Sequence, residues 1–213
     1  MKTSSTKISG RRSTITSQTR NPSDMIAQFG TQIRASGGYF ATVPDLSAAG
    51  DYAAKLALAA KAKQVVVCGS GIAPHLFASG ATMPFQVASS VKMDRGSFFE
   101  ALQSAEIGIS TADLGVADTG TLIISTRNES DRLVTALPMI HVAILPRSKL
   151  VFSLEDASQY ISHLLTKDSK AVSISLISAS SRTSDVGGIT IMGAHGPKEL
   201  HVLLLDGELP GES

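Results

Sequence analysis

Residues 140–145 read IHVAIL and residues 200–205 read LHVLLL. Each is an apolar run of strand length, interrupted only by a histidine near its start. A strand with one face in water alternates apolar and polar side chains, whereas a strand covered on both faces does not. QVVVC (64–68), EIGIS (106–110), LIIS (122–125) and AVSISLI (171–177) have the same near-continuous apolar character, and YFATV (39–43) is a shorter strand. Helical patterns lie between them. Residues 22–37 begin behind a cap at Ser23 or Asp24 and stop at Gly37–Gly38. Residues 45–62 place Leu46, Ala53, Leu56, Ala57 and Ala60 on one face. Further helices are expected near 96–104 and 129–136, and one beginning at Ser153 with Asp156 carries a stripe of Leu154, Ala157, Ile161, Leu164 and Leu165. Alternating helices and fully apolar strands predict an α/β fold, a three-layer Rossmann-like sandwich with a mostly parallel sheet. In such sheets ligands bind in loops beyond the carboxyl ends of the strands.

Composition supports one substantial core. The chain has 213 residues, 43% of them apolar and 17% charged, with 5% aromatic and no tryptophan, so its core is aliphatic. No apolar run approaches the roughly 18–20 residues that span a bilayer, and no apolar signal core follows Met1. A soluble, cytoplasmic protein is expected. The net charge of +1 is unevenly placed. Residues 1–20 carry Lys2, Lys7, Arg11, Arg12 and Arg20 with no acid, and ten serines or threonines. Residues 1–21 are expected to form a flexible basic tail, and 22–213 a single domain. The remainder is slightly acidic, so no nucleic-acid partner is indicated.

Several chemistries are excluded. Cys68 is the only cysteine, so the chain cannot hold an internal disulfide or a self-contained iron–sulfur cluster, which takes about four thiolates. At the end of an apolar strand, Cys68 reads as a buried, inert thiol. CGSGIAP (68–74) lacks the third glycine of a dinucleotide loop. GxxxxGK[ST], HExxH and GxSxG motifs are absent, and the five histidines offer no chelating pair at helical spacing, so no metal site is expected.

Two polar loops remain. STADLGVADTGT (110–121) presents Asp113, Asp118, Thr119 and Thr121 around Gly120, whose freedom permits positive φ or close approach of a ligand. Neighbouring amides and hydroxyls there can face an anion, and Asp118 can accept from a ligand hydroxyl or act as a base. A tight turn with Asp118 bonded to its own backbone is the competing reading. SASSRTSDVGG (178–188) groups Ser180, Ser181, Arg182, Thr183 and Asp185 behind a strand, with a guanidinium able to fork onto a carboxylate or phosphate. A solvated serine-rich loop is the alternative there. Behind it, MGAHGPKEL (192–200) sets His195 between Gly193 and Gly196, where an imidazole can serve as acid or base. His201 and His141 read as packed strand residues.

Taken together, ADLGVADTGTLIIST, RNESDRLVTALPMIHVAIL and SRTSDV…GAHGPKELHVLLLD resemble the LUD domain family, most closely its lactate-utilisation protein C group, over about Ala105 to Asp206. The resemblance implies a fold like the NagB/RpiA/CoA-transferase group and a part in oxidising L-lactate to pyruvate. It also implies two cysteine-rich partner subunits, one of which carries iron–sulfur clusters, with no cofactor assigned to this chain. Where the family usually has glutamate in AETGT, this chain has Asp118, and Ser178-Ala179-Ser180 stands where the family has Gly-Pro-Ser. On this resemblance a small carboxylate or nucleotide-like ligand lies between the two loops. Arg182 pairs with the anion, and Ser180, Ser181 and Thr183 donate to it. Asp118, Thr119, Gly120 and Thr121 form the opposite wall, and Asp185 and Gly196 complete the lining. Arg132 braces the site, and His195 and Asp118 are the catalytic candidates. The rivals are an autonomous transferase or isomerase acting on a CoA ester or sugar phosphate, and a non-catalytic effector-binding or assembly protein.

Overall fold

The computed structural model describes residues 21–68, 72–77, 83–166, 173–183, 191–192 and 196–210. Its centre is a six-stranded sheet in which every pairing is parallel. The strands are β1 (Tyr39–Val43), β2 (Gln64–Val67), β3 (Gln86–Ser89), β4 (Ile107–Thr111), β7 (Ile140–Pro146) and β12 (Glu199–Leu205), in the order β1-β12-β7-β4-β2-β3. The apolar runs that predicted strands thus become β2, β4, β7 and β12, and YFATV becomes the edge strand β1.

One face of this sheet carries Val65, Val67, Ile107, Ile109, Val142, Ile144, Leu203 and Leu205 against α2 (Leu46–Ala59). Asp45 caps α2 by accepting from the Ala48 amide at 2.8 Å. The other face carries Ala143, Leu145, Leu200, Val202 and Leu204 against Phe29 and Ile33 of α1 (Pro22–Ala35). Each fully buried side chain of this size stabilises the fold by about 1.5–3 kcal/mol. Farther along that face, Val66 and Cys68 meet Phe98 and Leu102 of α4 (Arg95–Gln103) and Val134 of α5 (Glu129–Val134). Cys68 is buried there, and desolvation pushes its thiol pKa up, which keeps it protonated and inert as expected.

The first helix starts one step earlier than its sequence suggests. Asn21, not Ser23 or Asp24, is the cap, accepting from the Ser23 amide at 3.0 Å with Pro22 in the first turn. Proline supplies no amide and fixes φ, so the residue before it is the natural cap. The helix ends as expected at Gly37, whose φ of 80° turns the chain while the Gly38 amide returns to the Ile33 carbonyl at 2.9 Å.

LIIS and AVSISLI do not join the parallel sheet. They form β6 (Thr121–Thr126) and β9 (Ser173–Ile177) of a second, four-stranded sheet. Its other members are β5 (Leu114–Val116) and β8 (Leu150–Val151), in the order β8-β5-β6-β9, and β6 pairs antiparallel with both neighbours. Leu122 and Ile124 face α1 and the large sheet, whereas Ile123 faces Ala157 of α6 (Leu154–Thr166). The apolar run of β6 therefore reports burial on both faces, as expected, but not parallel pairing. Ser153 and Asp156 form the reciprocal cap expected before α6, although Leu154 and Leu165 of its stripe stay exposed. A short ribbon, β10 (Arg182–Thr183) with β11 (Ile191–Met192), completes the strands among the described residues.

Candidate functional site

The two polar loops meet through the register of β6 and β9. Leu122 lies opposite Ile177, so the next positions along the ladder are Thr121 and Ser178. Their hydroxyl oxygens are 2.8 Å apart, and Thr121 Oγ1 is also 2.8 Å from Thr119 Oγ1. Three hydroxyls, each able to donate and accept, thus form one chain across the loops.

The turn before β6 is built without the Asp118 side chain. Backbone bonds run from Ala117 N to Val151 O and from Asp118 N to Phe152 O, both 2.9 Å, and from Gly120 N to Val116 O at 2.9 Å. Asp118 Oδ1 is buried with no hydrogen-bond partner among the described residues. A carboxylate whose only task was to shape the turn would not be left that way. Gly120 has a φ of 66°, and a Cβ there would lie 2.7 Å from Gln32 Cβ. Its missing side chain is thus required by the close approach of α1. Asp113 is also structural: it accepts from Tyr160 Oη at 3.1 Å and from the Ser125 amide, tying α6 to β6.

On the far side of Ser178 a groove of about 300 Å³ runs over residues 178–181, Gly196, Pro197, Thr135 and His141. Ser181 N donates to the Pro197 carbonyl at 2.8 Å, which fastens the serine turn to the segment entering β12. Ser180 is 6% exposed, and its Oγ has no hydrogen-bond partner among the described residues. Such an orphaned hydroxyl is costly unless water or a ligand meets it. The groove lies beyond the carboxyl end of β9, a strand of the antiparallel sheet, and at the amino ends of β7 and β12, so it is not where the strand-end rule for parallel sheets places a ligand.

His141 is packed in β7, as its sequence context predicts, and it also lines the groove. It is 1% exposed, and its Nε2 lies 2.9 Å from Ser110 Oγ on β4, a hydroxyl equally buried. Burial alone lowers its pKa to about 4, so the ring is neutral at physiological pH. Gly108, its partner across the ladder, lacks the Cβ that would strike the Val134 carbonyl at 2.3 Å, and so admits the end of α5 to the groove wall. The one available signal was an imidazole inside an otherwise apolar strand, and that signal also fits a packed histidine.

Of the other predicted residues, Arg132 forms a two-pronged ion pair with Glu129 one turn back on α5 and does not line the groove. The backbone of Arg182 and Thr183 continues directly from the groove into β10; their side chains, and the whole of Asp185 and His195, lie outside the described residues. A second cavity, of about 500 Å³, follows the carboxyl ends of β3 and β6. It is lined by Ser90, Arg95, Arg127 and Asn128, none of them anticipated from sequence. Among the described residues no group of acids, histidines and cysteine is placed to hold a metal ion, and no helix is long and apolar enough to cross a membrane.

The LUD domain family model matches residues 26–205, both sheets and the groove included. The chain belongs to the LUD domain family. Within the span it shares with other LUD chains, it is 30% identical over 109 residues to Lactate utilization protein C of Geobacillus thermodenitrificans, covering 50% of this chain and 45% of that one. It is equally identical over 107 residues to Lactate utilization protein C of Shouchella clausii, covering 50% and 47%. The chain thus spans about half the length of the curated relatives it matches. Among solved structures, a DUF162 family protein from Deinococcus radiodurans superposes with a TM-score of 0.63 at 17% identity, covering 87% of this chain and 99% of that one, which establishes a common fold.

Proposed function

We propose that this LUD chain is a component of a system that oxidises L-lactate to pyruvate, and that it binds a small anionic substrate or cofactor between its two polar loops. The names of its relatives support the lactate connection. The observation that carries the pocket is the Thr121–Ser178 hydroxyl bond, which joins the loops beside the orphaned Ser180 Oγ. Arg182 pairs with the anion, the hydroxyls donate to it, and Asp118 Oδ1 accepts from a ligand hydroxyl. His195 supplies or removes a proton where one is needed. With one cysteine in the chain, electrons pass to an iron–sulfur partner subunit.

The test is a thermal-shift and calorimetric titration of lactate, pyruvate, nucleotides and coenzyme A against the wild type, Arg182→Ala and Thr121→Val. A ligand at about 100 times its Kd stabilises the fold by about 2.7 kcal/mol. The expected result is such a shift for a carboxylate, lost in Arg182→Ala and reduced in Thr121→Val. Unchanged binding in both variants, or no response to any anion in the wild type, disproves the pocket. The unpartnered Asp118 oxygen favours one second reading, a transferase or isomerase acting on a CoA ester or sugar phosphate with Asp118 as its carboxylate. Turnover of such a substrate by the purified chain, abolished in Asp118→Asn, would select that reading.

A further inference from the structure

We propose that the cavity of about 500 Å³ at the carboxyl ends of β3 and β6 is a second ligand site, separate from the groove, and that it takes a nucleoside monophosphate. Its place in the parallel sheet supports this. β2 and β4 are neighbours whose onward connections leave in opposite directions, to β3 on one side and towards β7 on the other. In open parallel sheets such a reversal opens a crevice beyond the carboxyl ends of the strands, where ligands bind. The cavity flanks that crevice. Its Phe98 packs on Val66 and Cys68 at the end of β2, and Cys68 Sγ lies 3.7 Å from the Asp131 carbonyl of α5. The first residues of α5, Glu129 and Ser130, form part of the cavity lining.

The lining suits a phosphate ester. Among the described residues it holds two guanidinium groups, Arg95 at the start of α4 and Arg127 just after β6, and one carboxylate, Glu129. Arg132 forks onto Glu129 from outside the cavity. That hydrogen bond and, more weakly, the charge of Arg95 hold the Glu129 carboxyl below its usual range, so Arg95 acts on the same space. The neighbouring acids are engaged locally: Asp94 caps α4 through the Gly96 and Ser97 amides, and Asp131 accepts from Asn128 Nδ2 at 2.8 Å. A guanidinium presents paired donors that match two phosphate oxygens, and the hydroxyls of Ser90 and Ser130 add further donors. Met93 and Phe98 make the rest of the wall apolar, which suits the base of a nucleotide. The cavity volume lies in the range of small-molecule sites, so a phosphate group alone does not fill it.

The experiment is calorimetry of the full chain at low salt with adenosine monophosphate, adenosine and inorganic phosphate. The wild type is expected to bind the nucleotide at least about tenfold more tightly than either fragment. Arg95→Gln and Arg127→Gln should each weaken the nucleotide at least about tenfold, while Glu129→Gln tightens it by removing the acid from the lining. Thr121→Val and Arg182→Ala, which probe the pocket between the polar loops, should leave nucleotide affinity unchanged. Arg95 is exposed, so Arg95→Gln decides alone if Arg127→Gln fails to fold in a thermal melt. Adenosine or inorganic phosphate binding as tightly as the nucleotide overturns the inference. So does an unchanged affinity in Arg95→Gln, a loss of nucleotide binding in the polar-loop variants, or a wild type that does not bind the nucleotide. Lactate titrated against the same proteins tests the pocket between the loops independently, because Arg95→Gln is expected to leave its binding unchanged.

Discussion

His141 and His201 make an instructive pair. They sit near the starts of neighbouring parallel strands, in the near-identical contexts IHV and LHV, and both are almost fully buried. In the register, however, His141 lies opposite Leu200, one residue short of His201. Side chains alternate along a strand, so that single step sends the two imidazoles to opposite faces of the sheet. His201 faces α2, where Tyr39 stacks on it at 4.3 Å, Tyr52 Oη lies 2.9 Å from Nδ1 and Glu199 Oε2 lies 3.1 Å from Nε2. Both ring nitrogens are satisfied by the protein, and burial lowers its pKa while Glu199 opposes the shift. His141 faces the groove, bonded to Ser110, and among the described residues no acid offsets its burial. The first arrangement bonds both ring nitrogens; the second fixes the ring through Nε2.

The largest expected effect that separates them is in acid. The pKa of His141 falls from an unfolded value near 6.5 to about 4 in the folded chain. Above about pH 6.5 the ring is neutral in both states and has no effect on the balance. Between about 6.5 and 4 the unfolded chain takes up a proton that the folded chain refuses, so stability falls as the pH falls, by about 3 kcal/mol over the whole window. Urea denaturation across that range should show this limb in the wild type, and His141→Gln should flatten it. His201→Gln should leave most of it in place. If the two variants trim the acid limb equally, the contrast between the faces is wrong.

Next in size is Ser110→Ala. It leaves a buried Nε2 without its partner at a site closed to water, at a cost of about 2 kcal/mol. The denaturation midpoint should drop with the m-value unchanged. A shift near zero would mean that the ring turns to a new partner, and that Ser110 does not hold it.

The parts of this picture that the sequence exposed are those set by burial alone. QVVVC, EIGIS, IHVAIL and LHVLLL announce strands covered on both sides, because no polar side chain alternates in. The same logic misplaced LIIS, since burial beneath α6 and above α1 produces the same pattern in an antiparallel strand. Leu114–Val116 and Leu150–Val151 are too short for any periodicity, so two of the second sheet's four strands had no sequence signature. The polar loops were visible as composition, but their contact depends on the pairing of Leu122 with Ile177, a property of two strands about 50 residues apart. Gly120 was legible as a turn, yet the reason it tolerates no side chain is α1, about 90 residues upstream. That His141 faces the groove was hidden for the same reason. Which face an imidazole takes is settled by register against β4 and β12, and a single strand does not contain that information.

The smallest effect tests the other face. Tyr52→Phe keeps the ring that packs on α2 and removes only the hydroxyl that meets His201 Nδ1. Tyr39 is 51% exposed and Glu199 is similarly open, so water can reach the vacated position. An unmade bond that water can replace costs about 1 kcal/mol or less, against about 2 kcal/mol for the sealed Ser110 bond. The measurement is the same urea midpoint, taken at about pH 7.5 where both histidines are neutral. A loss as large as that of Ser110→Ala would mean that water does not reach His201, and the two faces would then differ only in which protein groups surround the ring. A smaller loss leaves accessibility as the difference: His201 lies beside the exposed Tyr39 and Glu199, while both partners of the His141–Ser110 bond are buried.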